Sequence, residues 1–309
     1  MSLFRATLKL ESALGTPLAG PTLFGQLCWI KHEMKGEAEL ETWLSNEDNL
    51  WKISDGFPHG YLPKPLVHPD FSRQKNLETK DLKTRKKCIY VRRNVWLDHR
   101  DNWDEYTLVI ENFIKEPVLS HRLAHNTIDR HGRGTVEEGG LFFLDEDWRF
   151  AKQGFNKIDI YIEASQKDKD EIWELLTLLG NYGFGRDAST GRGRWQVEDI
   201  VEDMELASGT GQRLMSLSRG VLTPETMHNA LWQIVPHFGR TGPQLSLTGI
   251  SAFKRPVLLT RPGTSFSKGK SGAFGKILKN IHPDRKEIVL NGLHIAIPFS
   301  EAGLMEAGV

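Results

Sequence analysis

Between Gly183 and Trp195 the chain places four glycines and three arginines within thirteen residues. Glycine lets a backbone turn through positive φ and leaves room for a close approach. Successive N–H groups in such a turn make a concavity that suits an anion. Arg186, Arg192 and Arg194 add forked donors matched to phosphate. The chemistry read here is the cradling of a phosphate backbone by Gly183, Gly185, Arg186, Ser189, Gly191, Arg192, Gly193 and Arg194. The stretch is no Walker A loop, which closes on Lys-Ser or Lys-Thr. Nor does Gly183-x-Gly185 followed by Ala188 open a helix after a strand, as a dinucleotide site requires. A glycine-rich surface hairpin with no ligand would have the same composition. Phe184 and Trp195 flank the loop, where each is either a stacking platform for a base or a core residue.

The histidines are the second source of chemistry. His32, His121 and His125 are of the type that exchanges protons near neutral pH, so each is a candidate general acid or base. A histidine among polar neighbours is more often a hydrogen-bonding residue. His121, His125, Asp129 and His131 would crowd a metal only if their segment folded as a helix-like turn. Arg130 either meets a phosphate or fixes Asp129.

These residues need elements to hold them. Leu3 to Leu10 alternates as a strand, with Phe4, Ala6, Leu8 and Leu10 on one face. A turn-rich Gly15 to Pro21 then leads to a helix opening at Thr22, with Leu23, Leu27 and Ile30 at helical spacing. Trp43 to Trp51 has helical character, and Tyr61 to Leu66 is extended. Pro69 to Lys87 is polar and reads as a loop excursion. Strands are expected at Cys88–Trp96, Thr107–Glu111, Leu141–Leu144, Ile158–Ile162 and Trp195–Ile200. Lys169 to Tyr182 is an amphipathic helix, with Ile172, Leu175, Leu176 and Leu179 at i, i+3, i+4 and i+7. The glycine loop therefore joins a helix to a strand.

A Ser-Gly-Thr-Gly link at Ser208–Gly211 marks a change of domain. Beyond it, strands are expected at Leu214–Leu217, Leu231–Val235, Arg255–Leu259 and Ile288–Ile297, with a short helix at Ala273–Ile281. The expected fold is α+β: two ferredoxin-like (RRM-like) domains with insertions and a glycine-rich loop, divided as residues 1–206 and 207–309.

Composition narrows the classes further. With 309 residues, 40 Lys or Arg and 40 Asp or Glu, the net charge is zero, but its distribution is uneven. Nine basic residues stand against one acid, Asp284, between Lys254 and Lys286. Lys83 to Arg93 is basic as well, which suggests a basic face on a neutral body. Two solvated basic loops would give the same count. Cys28 and Cys88 are too few for a disulfide framework and lack metal-ligand spacing. No signal peptide and no membrane-length apolar run is present, so a cytoplasmic protein with no membrane partner is expected.

Three stretches in order, Gly15 to Cys28, His125 to Arg130 and Gly183 to Trp195, resemble the RAMP superfamily of CRISPR-associated proteins. Within it, the chain is most similar to the Cas-five-like group that supplies the fourth subunit of type III-A Csm effector complexes. The Leu62-Pro63-Lys64-Pro65 segment and the Gly140-Leu141-Phe142 strand belong to the same pattern. Most of the chain is covered, least so Val67–Trp103 and the last ten residues. The resemblance implies a noncatalytic subunit with no cofactor. It would hold the repeat-derived 5′ tag of the CRISPR RNA and touch the large Cas-ten-type subunit and the backbone RAMP subunits, meeting target RNA only indirectly. It implies RNA contacts at Thr16, Thr22, His125, Asp129, Arg130 and the glycine-loop residues, with the helix N-terminus near Thr22 offering free N–H groups to a phosphate. Some RAMP proteins instead cleave repeat RNA without metal through a histidine. That is the alternative reading, with His125, His121 or His32 as acid or base. A phosphate-binding enzyme unrelated to RNA is the third.

Overall fold

The computed structural model describes residues 1–70, 74, 78–129, 134–136, 140–241 and 251–303. β1 (Ser2–Leu10) lies between β9 (Lys157–Ala164) and β10 (Trp195–Glu202), antiparallel to both. The other edge of β9 pairs with two short strands, β2 (Lys52–Ile53) and β3 (Phe57–Pro58). Two helices, α1 (Gly20–Lys35) and α5 (Lys169–Tyr182), follow the first and third strands of this sheet. Counting β2 and β3 as one position, the strand order is fourth, first, third, second, which is the ferredoxin-like arrangement.

The helix periods explain the packing. Leu23, Phe24, Leu27 and Ile30 of α1 and Ile172, Leu175, Leu176 and Leu179 of α5 are all buried against Phe4, Ala6, Leu8, Leu10, Ile160 and Ile162. Each such side chain contributes roughly 1.5–3 kcal/mol by leaving water. The opposite side of the sheet is buried too. Leu3, Phe57 and Tyr161 join Trp96, Trp103, Met215, Ile297 and Phe299 in a second core that ties the two halves of the chain together.

Three excursions leave the first sheet. α2 (Glu37–Ser45) follows α1. A small sheet of β4 (Tyr61–Pro63), β5 (Tyr90–Arg92) and β6 (Phe113–Ile114) carries α3 (Thr79–Lys87) and α4 (Arg93–His99). β7 (Ser120–Asn126) and β8 (Leu141–Asp147) form a separate antiparallel hairpin.

A short helix, α6 (Met204–Ala207), capped by the Asp203 carboxylate, precedes the second sheet. That sheet contains β11 (Arg213–Ser216), β12 (Met227–Leu231), β15 (Ser265–Lys268) and β18 (Ala296–Phe299) in the order β12-β15-β11-β18. In chain order this is again fourth, first, third, second, read from the β18 edge. No helix follows Ala207 among the described residues. Two hairpins, β13 (Ile234–His237) with β14 (Val257–Thr260) and β16 (Gly275–Leu278) with β17 (Leu290–Leu293), stand beside the sheet instead.

Several local expectations are corrected. Ala273–Ile281 is not a helix: Gly275 takes φ +82 and the segment pairs along β17. Cys88–Trp96 is strand only to Arg92 and helix thereafter. Thr107–Glu111 holds no strand, because the backbone makes a 3-10 turn at Ile110–Asn112 before β6. Pro69–Lys87 is no simple loop, since Thr79–Lys87 is helical, anchored by the Arg85 guanidinium on the carbonyls of Glu105 and Leu108.

Candidate nucleic-acid interface

The glycine loop is bolted to the turn that precedes α1. Gly183 ends α5 at φ +93 and donates to the Leu179 carbonyl at 2.8 Å. Phe184 then turns inward, where its ring lies 5.9 Å from that of Trp195. Both rings are buried, and the Trp195 indole donates to the Leu176 carbonyl, so both are core residues and not stacking platforms. The Arg186 N–H donates to Thr16 Oγ1 at 2.9 Å, the Gly193 N–H to the Ala13 carbonyl at 2.8 Å, and the Arg194 N–H to Ser12 Oγ at 2.8 Å. Gln26 of α1 accepts from the Gly185 N–H at 3.4 Å.

The glycines serve this contact. A Cβ on Gly185 would sit 2.5 Å from Thr16 Cβ, and one on Gly193 would sit 2.2 Å from the Phe184 carbonyl oxygen. The first contact seats the loop on the Thr16 side chain and the second folds the loop on itself, while a Cβ on Gly15 of the facing turn would sit 2.7 Å from the Arg186 carbonyl oxygen. Most of the loop's amides are consumed internally and face no ligand. Gly191 differs: it has φ +91, and nothing lies within 4 Å of where its Cβ would be. With Ser189 and Thr190 exposed, Ser189–Gly191 is the open arc of the loop.

The three arginines divide by partner. Arg186 donates from Nη2 to the Asp145 carbonyl at 2.7 Å and from Nε to Asp187 at 3.2 Å. Arg192 donates from Nε to Glu146 at 2.7 Å, and the Glu146 side chain is fully buried. The Trp148 indole N–H, at 3.1 Å, holds the other Glu146 oxygen. These two arginines thus clamp the loop onto β8. Arg194 is exposed and has no side-chain partner among the described residues.

The histidine segment folds as a strand. His121 and His125 lie in β7, opposite Glu146 and Phe142. The His125 ring stacks on Phe142 with centroids 5.4 Å apart, and its Nε2 is buried without an acceptor. His121 packs on Trp148 at 4.9 Å. Asp129 is half-buried, its N–H donating to the Gly134 carbonyl at 2.8 Å, while Arg130 and His131 lie outside the described residues. His32, on α1, faces Glu33 at 3.6 Å. No trio of His, Cys, Asp or Glu is placed to hold a metal among the described residues.

The N–H groups expected to be free near Thr22 have partners within the protein. α1 starts at Gly20, and its first N–H donates to the buried carboxylate of Asp55 at 2.9 Å. Pro21 has no N–H, and those of Thr22 and Leu23 turn back to the Ala19 carbonyl. Asp55 also accepts from Arg219 Nε at 2.6 Å. Burial pushes the Asp55 carboxyl upward, while Arg219 and the Gly20 N–H pull it back. A protein carboxylate thus occupies the anion position at this helix terminus and engages its first N–H. Asp55, Glu146, Ser12 and Gln26 carried no local signal, because each meets its partner only across the tertiary fold.

No family profile matches the sequence, and no curated protein matches it. Solved structures match over almost the whole chain. A chain of the Csm1–Csm4 cassette in complex with AMPPNP aligns with TM-score 0.59 and 18% identity, covering 96% of this chain and 98% of that one. The same cassette in complex with pppApA gives 0.58 and 15%, covering 97% and 99%. The Csm3–Csm4 subcomplex of the type III-A CRISPR-Cas interference complex gives 0.56 and 15%, also covering 97% and 99%. Csm4 is the component named in all three. The fold is Csm4-like. This agrees with the α+β expectation, the likeness extending over 97% of this chain. No helix among the described residues is long and apolar enough to cross a membrane.

Proposed function

We propose that this chain is a noncatalytic subunit of a type III CRISPR RNA-guided interference complex. In this reading it holds the repeat-derived 5′ tag of the CRISPR RNA and contacts a large Cas-ten-type subunit and backbone RAMP subunits. The observation that carries the proposal is the end-to-end match to chains crystallised in Csm1–Csm4 and Csm3–Csm4 assemblies. The same reading divides the chain as residues 1–206 and 207–309, a division supported by the two main sheets, formed by β1, β2, β3, β9 and β10 and by β11, β12, β15 and β18.

The site supports binding over chemistry. Arg194 and the arc Ser189–Gly191 are open, and the loop beneath them is rigidly seated on Ser12–Thr16 and β8. A seated loop presents a cation without the entropy cost of ordering it on binding. His125, the foremost catalytic candidate, stacks on Phe142 with its Nε2 buried away from solvent, a poor position from which to exchange a proton with RNA.

The test is to incubate the purified chain, in EDTA, with labelled repeat RNA and with the isolated 5′ tag, following binding and cleavage together. Binding without cleavage, weakened by Arg194→Ala, is the expected result. Site-specific cleavage abolished by His125→Ala or His32→Ala would replace this reading with a processing nuclease.

A further inference from the structure

The β13–β14 hairpin has two unlike faces. Its inner face is covered: Leu259 is buried and Val235 and Val257 pack with it against Ile281 and Leu290. Its outer face is apolar and bare. Trp232 is 47% exposed, Ile234 57%, Phe238 69% and Leu258 68%. Within β13 the spacing of two puts Ile234 and Pro236 on one side, with Leu258 directly opposite Pro236, and the exposed Trp232 and Phe238 flank the strand at its two ends. Pro236 and Pro256 are exposed as well. A two-stranded ribbon is marginal in water by itself, and a contiguous apolar strip on a soluble chain marks an interaction surface.

Charge identifies the kind of occupant. From Thr226 to Pro283 the sequence contains no carboxylate and eight Lys or Arg. Arg240, Arg255 and Arg261 are exposed at the ends of the two strands. The Arg240 guanidinium lies over the Phe253 ring at 4.9 Å, and the Arg255 and Arg261 guanidiniums face Asn280 and Gln233 oxygens, with no acidic partner among the described residues. Tryptophan, phenylalanine and arginine are the residues enriched at protein interfaces, with arginine and tryptophan leading among hot spots. The strip's centre is aliphatic, at Ile234, Leu258 and two prolines, and offers no π-face on which a base would stack.

We propose that the outer face of β13–β14 docks a protein partner through an apolar patch of that partner bordered by Asp and Glu. The proposal rests on the effector-subunit reading, in which the candidates are the large subunit and the backbone subunit of the same complex.

The test compares the wild-type chain, a Phe238→Ser/Leu258→Ser double variant and an Arg240→Glu variant. Each is titrated calorimetrically against the purified large subunit and, separately, the backbone subunit, over a salt series, alongside 5′-tag RNA affinity and melting temperature. The expected result is binding to one subunit weakened at least tenfold by the double variant and severalfold by Arg240→Glu, with melting temperature and RNA affinity unchanged. Wild-type binding that both variants retain in full would overturn the proposal and leave the effector-subunit reading standing. Loss of RNA affinity without loss of subunit binding would make the face a nucleic-acid surface instead. A wild-type dimer that the double variant dissolves, with subunit binding intact, would make the occupant a second copy. Absence of wild-type binding to either subunit would overturn the effector-subunit reading itself, and this partner with it.

Discussion

The two four-stranded sheets share one strand order and are stabilised by different means. The first is backed by α1 and α5, and among the described residues up to Leu206 the buried ones number thirty-eight apolar and nine polar. The second has no helix among the described residues, and of those from Arg213 to Glu301 the buried ones number eleven apolar and ten polar. The same topology is therefore backed once by an aliphatic helix layer and once, beside the apolar core it shares with the first sheet, by a larger share of buried polar groups. Apolar packing tolerates small shifts, whereas buried polar groups must each find a partner. His294 illustrates the second case. Its Nε2–H donates to the Val221 carbonyl at 3.1 Å, which leaves Nδ1 bare to accept from the Ser216 hydroxyl at 2.7 Å.

The largest expected effect breaks the first sheet's device. Leu175→Ala removes a fully buried side chain from between α5 and the sheet. It should cost about 2–5 kcal/mol, read as a lowered denaturant midpoint. An effect below about 1 kcal/mol would mean that the helix layer is not what closes this sheet.

The next prediction sharpens the contrast through pH. Burial holds the His294 imidazole down from its ordinary 6.5 to about 4. The unfolded chain therefore binds a proton below pH 6.5 that the native state refuses until about pH 4. Stability from this group is present above pH 6.5 and is lost as the pH falls through that window, by up to ~3 kcal/mol. Urea titrations from pH 7 to 4 should show that slope, and His294→Gln should flatten it. An unchanged slope would detach the second sheet's stability from its buried histidine.

The same contrast explains what the sequence disclosed. β1, β9, β10 and α5 have long, clean periods and fold where those periods place them. In the second half, Phe274, Ile277, Leu278 and Ile281 fall at i, i+3, i+4 and i+7 and so imitate a helix face. Pairing with β17 and the positive φ of Gly275 override that period. α3 had no apolar period to read, since its sequence is TKDLKTRKK. At the site, the glycine loop was legible from composition. What its glycines do was not, because Thr16, Ala13 and Glu146 reach it only after folding. The helix terminus at Gly20 was misread for the same reason: its anion, Asp55, lies thirty-five residues along the chain.

Two smaller effects separate seating from binding within the glycine loop, a device the second sheet lacks. Arg192→Ala leaves the buried Glu146 carboxylate with the Trp148 indole as its one remaining side-chain partner among the described residues. It should therefore cost about 1–3 kcal/mol of stability, together with weaker RNA binding. Any affinity loss in that variant mixes a displaced loop with a lost phosphate contact. Arg194→Ala carries no such ambiguity. The side chain is exposed and pairs with nothing in the described protein, so stability should stay within about 0.5 kcal/mol. If Arg194 meets an RNA phosphate, the slope of log affinity against log salt should fall by roughly one in magnitude, uniformly across RNA sequences. A variant with the wild-type slope would show that the loop's one open arginine does not touch the backbone. The phosphate contact would then have to come from the clamped pair, which would have to meet RNA while Arg186 Nη2 and Arg192 Nε still hold β8.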